Sequence, residues 1–154
     1  MSFRILGLSP DSFRPYFEMS DAQLAARGAL RHTVTEDGLP CRVSLAHARI
    51  GDEILLLNFE HQPAHSPYRS RHAIYVSRGA QRAFDEVDVV PETITTRLIS
   101  VRAFDADGMI IDADVVDGKQ AAQTFERLLA HQDAAYLHVH NAKRGCYAAR
   151  VERV

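Results

Sequence analysis

The sequence predicts an α+β fold, with a mostly antiparallel or mixed sheet of six to seven strands and two to three helices packed on it. Apolar runs of strand length recur along the chain, and neighbouring runs are mostly joined by turn residues. Strands joined by tight turns run antiparallel, because parallel strands need a long crossover. The length of 154 residues suits a single domain over residues 1–154.

The first thirty residues are expected to hold one strand and two short helices. Residues 3–8 have strand character, and residues 11–17 follow a Ser-Pro pair that is typical of a helix start. Ser20 and Gln23 form a capping-box pattern. We therefore expect a helix of one or two turns at 11–17 and a second one that runs to about Arg27.

The middle of the chain alternates between strands and loops. Residues 39–45 are expected to form a loop that leads into a short extended piece. The dense apolar run at 54–59 predicts a central strand, and residues 72–76 predict another. Between them, residues 61–71 hold two prolines and predict a loop. Residues 79–97 are irregular and charged, so we expect them at the surface, with one helical turn near their end.

The C-terminal part has the clearest pattern. Residues 98–104 and 109–116 are strand-like and flank an Asp-Ala-Asp-Gly turn, which predicts a hairpin. Residues 118–132 carry apolar side chains at helical spacing. Residues 136–140 and 147–151 predict a second hairpin.

Composition excludes several classes of protein. The formal net charge of −2 argues against nucleic-acid binding, which needs a strongly basic face. No segment approaches the roughly 20 apolar residues that span a bilayer, and the N-terminal apolar run is too short for a signal peptide. Cys41 and Cys146 do not form a metal-type pair, so we expect reduced thiols, a cytoplasmic location and no cofactor.

The last hairpin is the best candidate for a functional site. His138 and His140 lie two apart on a strand, so both rings should point to one face and Leu137 and Val139 to the core face. Gly145 favours a three-residue loop at 143–145, which would place Cys146 on the histidine face. A four-residue loop would place Cys146 on the opposite face.

Two chemical hypotheses follow from a shared face. Histidine nitrogens with a thiol are zinc ligands, so His138 and His140 are weak metal candidates, although no metal is predicted. Alternatively, Cys146 is a nucleophile and His140 is its base, which makes these two residues the catalytic candidates. The favoured alternative to both is a half-buried polar strand with an ordinary core thiol.

Anion binding is the third hypothesis. Asn141, Lys143 and Arg144 lie at a turn, and backbone amides of a turn can form a concave anion site. The predicted binding residues are Arg42, His61, His72, His138, Asn141, Lys143 and Arg144. Further charge is available from Arg69, Arg71, Arg102 and Arg150. The alternative is a set of scattered surface arginines, balanced by 20 acidic residues, and a solvated loop around the histidines of 61–72.

Acidic pairs elsewhere have simpler explanations. Asp105 and Asp107 resemble the start of a calcium loop, but strands rather than helices flank them, so we interpret them as a hairpin turn. Asp112 and Asp114 share a strand face, and we expect them to pair with arginines or solvent.

Several stretches taken together resemble one bacterial protein family, catalogued as domain of unknown function 1203. They are residues 40–45, 66–69 with 72–76, 102–105 with 112–114, and 138–146. The resemblance covers nearly the whole chain, and the last stretch is its most specific part. It implies a bacterial, stand-alone, soluble protein whose separated polar motifs form one pattern, and it implies no particular activity.

The leading functional hypothesis is therefore a protein that binds a small molecule or anion at the 138–146 hairpin, with an enzyme as one version of it. The alternative is a non-enzymatic interaction or structural module, including a homodimer, whose histidines and arginines pair internally or line an interface.

Overall fold

A computed structural model describes residues 2–154, and within that range it contains nine strands and four α-helices. The strands are β1 (Phe3–Leu6), β2 (Leu30–Thr33), β3 (Glu53–Gln62), β4 (Ser70–Ser77), β5 (Asp85–Val87), β6 (Leu98–Phe104), β7 (Ile110–Asp117), β8 (Tyr136–Asn141) and β9 (Tyr147–Arg153). The helices are α1 (Arg14–Phe17), α2 (Asp21–Ala26), α3 (Glu92–Thr95) and α4 (Ala121–Leu129).

The α+β class is confirmed, but the predicted number of strands is too low. The strands that the sequence pattern missed are β2 and β5, which lie at the edges of their sheets. Both are short and mostly exposed, with no apolar alternation that could predict them. Backbone hydrogen bonds to β3 and β1 hold them in extended form.

The strands form two sheets. The large sheet has the order β5-β1-β9-β8-β6-β7, and the small sheet has the order β2-β3-β4. All neighbouring strands in both sheets are antiparallel. The turns in the sequence predict two of these hairpins, which connect β6 with β7 and β8 with β9. Hairpin connections make the neighbouring strands antiparallel.

The main core lies between α4 and one face of the large sheet. Phe125, Leu128 and Leu129 of α4 are fully buried there. The sheet contributes alternate residues to this core, including Val101, Leu137, Val139 and Val151. None of the helices in residues 2–154 is long and apolar enough to cross a membrane.

A second core lies between the small sheet and the first helices, where Phe13 and Leu24 pack with Leu55 and Ile74. The small sheet also contacts the large sheet on the face opposite α4. At that contact, Nε2 of Gln62 donates a hydrogen bond to Oη of Tyr136 over 2.9 Å.

Residues 40–43 connect the two sheets. The backbone N–H of Arg42 donates to the carbonyl oxygen of Tyr75 in β4, at 3.0 Å, and the N–H of Leu8 donates to the carbonyl oxygen of Arg42, at 2.8 Å. Gly7 packs so closely on the carbonyl of Val43 that a Cβ atom would overlap it. These contacts hold the Arg42 backbone between the sheets and aim its side chain at β9.

Candidate functional site

Four histidines meet where the two sheets touch. His138 and His140 leave β8 on the face opposite the core residues Leu137 and Val139, as the alternation of a strand requires. The small sheet supplies one histidine from β3 and one from β4. The histidine cluster consists of His61, His72, His138 and His140. The shared face of His138 and His140 is thus observed, but this face is buried rather than half-buried.

Three members of the cluster are close enough to share one bound atom. His61, His138 and His140 are 7%, 2% and 0% exposed, respectively. One ring nitrogen of each lies within 4.8 Å of a ring nitrogen of both others. The rings of His61 and His140 are inclined by 80°, and those of His138 and His140 by 45°.

Hydrogen bonds determine which nitrogen carries the proton in His140. Its Nδ1 lies 2.8 Å from the carbonyl oxygen of Gly145, which can only accept, so Nδ1 carries the hydrogen and Nε2 has the lone pair. Nε2 of His61 lies 2.8 Å from Nδ1 of His72, so one of these rings donates to the other. Within residues 2–154, Nδ1 of His61 and Nδ1 of His138 are buried without a hydrogen-bond partner.

Burial keeps these rings neutral. It lowers the pKa of His138 to about 2, with smaller contributions from His140 and His61. It also lowers the pKa of His140 to about 3 and that of His61 to about 4, and the charge of Arg102 acts in the same direction. A neutral imidazole offers one lone pair, which is the state that binds metals.

Arg102 is a cation that directly contacts the cluster. Its Nη1 lies 3.4 Å from Nε2 of His140, and its Nε lies 3.5 Å from Oγ of Ser100. Both contacts are long, and no carboxylate of residues 2–154 lies within ion-pair distance of Arg102. The cluster therefore has a positive neighbour whose charge is not balanced locally.

In the last hairpin, residues 142–145 form a four-residue loop between Asn141 and Cys146, which are joined by a backbone hydrogen bond. The predicted three-residue loop and the predicted shared face of Cys146 were therefore wrong. The N–H of Asn141 donates to the carbonyl oxygen of Cys146 at 2.9 Å, and the N–H of Gly145 donates to the carbonyl oxygen of Asn141 at 2.8 Å. Tyr147 is therefore the residue that pairs with His140. Gly145 does have a positive φ of 79°, but it occupies the last position of a longer loop.

Tyr147 takes the place that was predicted for Cys146. Its ring stacks on that of His61, with centroids 5.1 Å apart and planes 9° apart. Burial raises the pKa of Tyr147, so its phenol stays neutral. The sulfur of Cys146 instead contacts Nη2 of Arg42 at 3.4 Å and Nδ2 of Asn141 at 3.7 Å. In this structure the side chain of Arg42, rather than that of His140, lies beside the thiol.

A cleft of about 720 Å³ opens beside the cluster. Its lining includes four cationic residues, namely Arg42, Arg97, Lys143 and Arg144, and a single acidic residue, Glu36. Asn141 and Cys146 line it as well, and His72 belongs both to this cleft and to the histidine cluster. The predicted binding residues thus separate into two adjacent groups that meet at His72.

Arg42 is the most buried cation of the cleft, with 2% of its surface exposed. Its Nε donates to the carbonyl oxygen of Tyr147 and its Nη1 to that of Pro40, both over 2.6 Å. Burial lowers the pKa of Arg42, an effect that the nearby cysteine sulfurs oppose. Its partners are neutral carbonyls and a sulfur, so they orient the guanidinium without a carboxylate counter-ion.

Arg97 is held in the same way, by the carbonyl oxygens of Thr93 and Gly38 at 2.6 and 2.7 Å. It was not among the predicted site residues, because it follows a short helix in a region without a motif. No signal in the neighbouring residues could have identified it, since its place in the cleft depends on contact with residues 36–40.

Three other predicted arginines have carboxylate partners, although one of them, Arg150, lies opposite His138 on β9. Arg69 and Arg71 pair with Glu60, and Arg150 pairs with Glu152. Arg127 pairs with Asp114 at 2.5 Å and approaches Asp112 at 4.0 Å. Both aspartates thus have an arginine as a partner, as expected. His61 belongs to β3 rather than to a solvated loop, because this strand extends to Gln62.

Both cysteines are free thiols. Cys41 is 1% exposed, and its sulfur accepts a hydrogen bond from the N–H of Ser77 at 3.4 Å. It therefore behaves as a core residue, whereas Cys146 is partly exposed in the cleft.

Comparison with known proteins gives one informative match. Neither the curated proteins nor the solved structures yield a match to this chain. A family model described as "Protein of unknown function (DUF1203)" matches residues 38–153, which include the whole histidine cluster and all four cationic residues of the cleft. Since the match covers most of its length, the chain belongs to the DUF1203 family.

Proposed function

We propose that this protein binds a small anionic ligand in the cleft. The observation that carries the proposal is the unbalanced charge of Arg42 and Arg97. Within residues 2–154, neither guanidinium lies within ion-pair distance of a carboxylate, although nine other arginines do. Arg42 is buried and Arg97 is partly buried. Unpaired charge that is withdrawn from water is costly, and a bound anion would offset part of that cost.

The neutral contacts of Arg42 and Arg97 serve to orient their charge. Carbonyl oxygens hold both groups rigidly but leave their positive charge in place, facing the cleft. Planar guanidinium groups match the geometry of carboxylates and phosphates. A cavity of about 720 Å³ is also in the size range of small-molecule sites.

Lys143 and Arg144 have a different part in the proposed site. Both are exposed on the four-residue loop, so their long side chains are free to reach an anion in the cleft. In this proposal Arg42 and Arg97 provide a fixed positive potential, and the loop residues contact the ligand directly. Asn141 adds an uncharged donor at the base of the same loop.

Calorimetric titration at constant ionic strength tests this proposal, with inorganic phosphate, sulfate and citrate as probes. We expect saturable binding of at least one probe. The double variant Lys143→Gln/Arg144→Gln should weaken that binding at least about tenfold, since hydrogen bonds to charged groups are worth roughly 1.5–3 kcal/mol. The control is Arg27→Gln/Arg49→Gln, which removes two exposed charges outside the cleft.

Two results would contradict anion binding in the cleft. One is the absence of saturable binding for all three probes. The other is an equal loss of affinity in the cleft variant and in the control, because this would indicate a response to net charge alone.

Thiol chemistry at Cys146 is a second candidate function. The sulfur lies in the cleft and contacts the side-chain N–H groups of Arg42 and Asn141, which are the donors that a nucleophilic thiolate would need. In this version the anionic ligand is a substrate that the cleft holds against the sulfur. The alkylation rates of Cys146 in the native and the denatured protein test the reactivity of this thiol.

The non-enzymatic module, including a homodimer, stays the alternative proposal, and light scattering after size-exclusion chromatography measures the oligomeric state. We also propose that the protein works in the cytoplasm. The free state of both cysteines supports this proposal, because reduced thiols are typical of that compartment.

A further inference from the structure

The histidine cluster contains polar atoms that the rest of the protein does not satisfy. Nδ1 of His61 and Nδ1 of His138 are buried and, within residues 2–154, have no hydrogen-bond partner. Nε2 of His140 carries a lone pair whose only protein contact in that range is the long one, at 3.4 Å, to Arg102. Buried polar groups without partners are rare in native proteins, and each requires an explanation.

We propose that His61, His138 and His140 together bind one divalent transition-metal ion, with Zn²⁺ as the first candidate. One ring nitrogen of each already lies within 4.8 Å of a ring nitrogen of both others. Ligand nitrogens at roughly 2.0–2.1 Å from zinc are about 3.4 Å apart in a tetrahedral site. Small rotations of the three rings would bring their nitrogens from the present separations to those of a tetrahedral site. The ion would be the missing partner of the unsatisfied nitrogens.

Two neighbouring groups orient the ligands. The carbonyl oxygen of Gly145 accepts Nδ1–H of His140 and so fixes its lone pair on Nε2. In the metal-bound tautomer, Nε2–H of His61 donates to Nδ1 of His72, and the lone pair of His61 lies on the unsatisfied Nδ1. Metal-binding histidines almost always donate their second nitrogen to a carboxylate, a backbone carbonyl or water, and for His61 the ring nitrogen of His72 would take that part. His72 therefore positions a ligand and is not itself one.

The chemistry of the donor set selects the class of metal. Three neutral imidazoles suit zinc and other late first-row ions, whereas calcium and magnesium need oxygen ligands. Among residues 2–154, the side chains that come together here as possible ligands are the three histidines, and no carboxylate is included. Three protein ligands leave the fourth position of a tetrahedral ion open.

Arg102 determines what the open position would accept. A bound ion would be coordinated by Nε2 of His140, whose lone pair now faces Nη1 of Arg102. The N–H group of Arg102 would then be free to donate to a further ligand of the ion. A guanidinium beside a divalent cation favours an anionic group there, such as hydroxide or a carboxylate.

Titration of chelator-treated protein with zinc chloride and with cobalt(II) chloride tests the metal site. We expect one equivalent of either ion to bind and to raise the midpoint of thermal unfolding. His61→Gln, His138→Gln and His140→Gln should each weaken zinc binding at least about 100-fold. His65→Gln and His131→Gln are matched controls, because both of these histidines are exposed and lie outside the cluster.

His72→Phe tests the positioning role separately. This variant keeps all three ligands but removes the acceptor for His61, so zinc affinity should fall about 10–100-fold with unchanged stoichiometry. His72→Gln offers an oxygen acceptor and should recover part of the affinity. Equal affinity of His72→Phe and the unchanged protein would refute the positioning role.

X-ray absorption of the zinc-loaded unchanged protein decides the ligand set even if a histidine variant does not fold. The site predicts nitrogen or oxygen neighbours at roughly 2.0–2.1 Å with a histidine scattering pattern. A sulfur neighbour at roughly 2.3 Å would overturn the proposal, because it would require a cysteine ligand. So would the absence of saturable binding, or full binding by His138→Gln/His140→Gln.

The proposals of a metal site and of an anion-binding cleft can be contradicted independently of each other. Lys143→Gln/Arg144→Gln removes charge from the cleft but leaves the three ligands in place, so its zinc affinity should equal that of the unchanged protein. Loss of phosphate binding without loss of zinc binding would thus separate the two sites.

Discussion

Nδ1 of His140 donates a hydrogen bond to the carbonyl oxygen of Gly145, 2.8 Å away, across the last hairpin. This bond joins the histidine cluster to the loop that carries Lys143 and Arg144. It ties the orientation of a buried ring to the conformation of an exposed loop. The left-handed backbone of Gly145, with φ of 79°, is part of the geometry that allows it.

Gly145→Ala should therefore lower stability without steric overlap. No atom lies within 4 Å of the position that its Cβ would take, so the cost comes from the positive φ alone. We expect a decrease of about 1 kcal/mol in the free energy of unfolding, measured by urea denaturation. Gly79→Ala is the control, because Gly79 has equal space and no positive φ. An equal effect of both substitutions would contradict this explanation.

Stability should decrease as the pH falls from 7 to 5. Folding lowers the pKa of His61, His138 and His140 from an ordinary value near 6.5 to about 4, 2 and 3. Below pH 6.5 the unfolded chain therefore binds protons that the folded protein does not, and this favours unfolding. Each of these three histidines should lower the free energy of unfolding by at most about 2 kcal/mol between pH 7 and 5.

Urea denaturation of the metal-free protein at several pH values measures this decrease. The interval from pH 7 to 5 lies above the range in which Asp85, Asp88 and Glu60 take up protons, because their pKa values are lowered by their partners. His140→Gln should reduce the slope, because it removes one of the three rings that folding keeps neutral. A free energy of unfolding that is constant over this interval would show that the rings are not held neutral.

Arg42→Lys should destabilise the protein although it keeps the charge. An ammonium group cannot replace contacts from Nε, Nη1 and Nη2 at once, so buried carbonyl oxygens of Tyr147 and Pro40 would lose donors. We expect a loss of about 2–3 kcal/mol in urea denaturation. Arg69→Lys, at an exposed ion pair with Glu60, should change stability by less than about 0.5 kcal/mol. Similar losses for both variants would be evidence against a special role of Arg42.

Cys146 should react with iodoacetamide in the folded protein, and Cys41 should react only after denaturation. Cys146 is partly exposed in the cleft, whereas Cys41 is 1% exposed. Mass spectrometry of native and denatured samples distinguishes the two sites, with Cys41 as the internal control. Phosphate that binds in the cleft should slow the reaction. A native rate for Cys146 no higher than its rate in the denatured chain would remove the thiol-chemistry candidate.

Local sequence patterns were sufficient to predict much of the fold and two of the four histidines of the cluster. Alternation on β8 places His138 and His140 on one face and Leu137 and Val139 on the other. Capping at Ser20 and the amphipathic spacing of α4 also follow from the sequence, because hydrogen bonds and periodicity within a segment determine them.

Contacts between distant segments needed the tertiary structure. The length of the last loop depends on whether Asn141 pairs with Cys146, and a single glycine is compatible with three or four residues. His61 and His72 reach β8 only because the small sheet packs on the large one, and Arg97 reaches the cleft only through residues 36–40. Such positions depend on side-chain packing between elements, which has no periodicity that a single sequence can show.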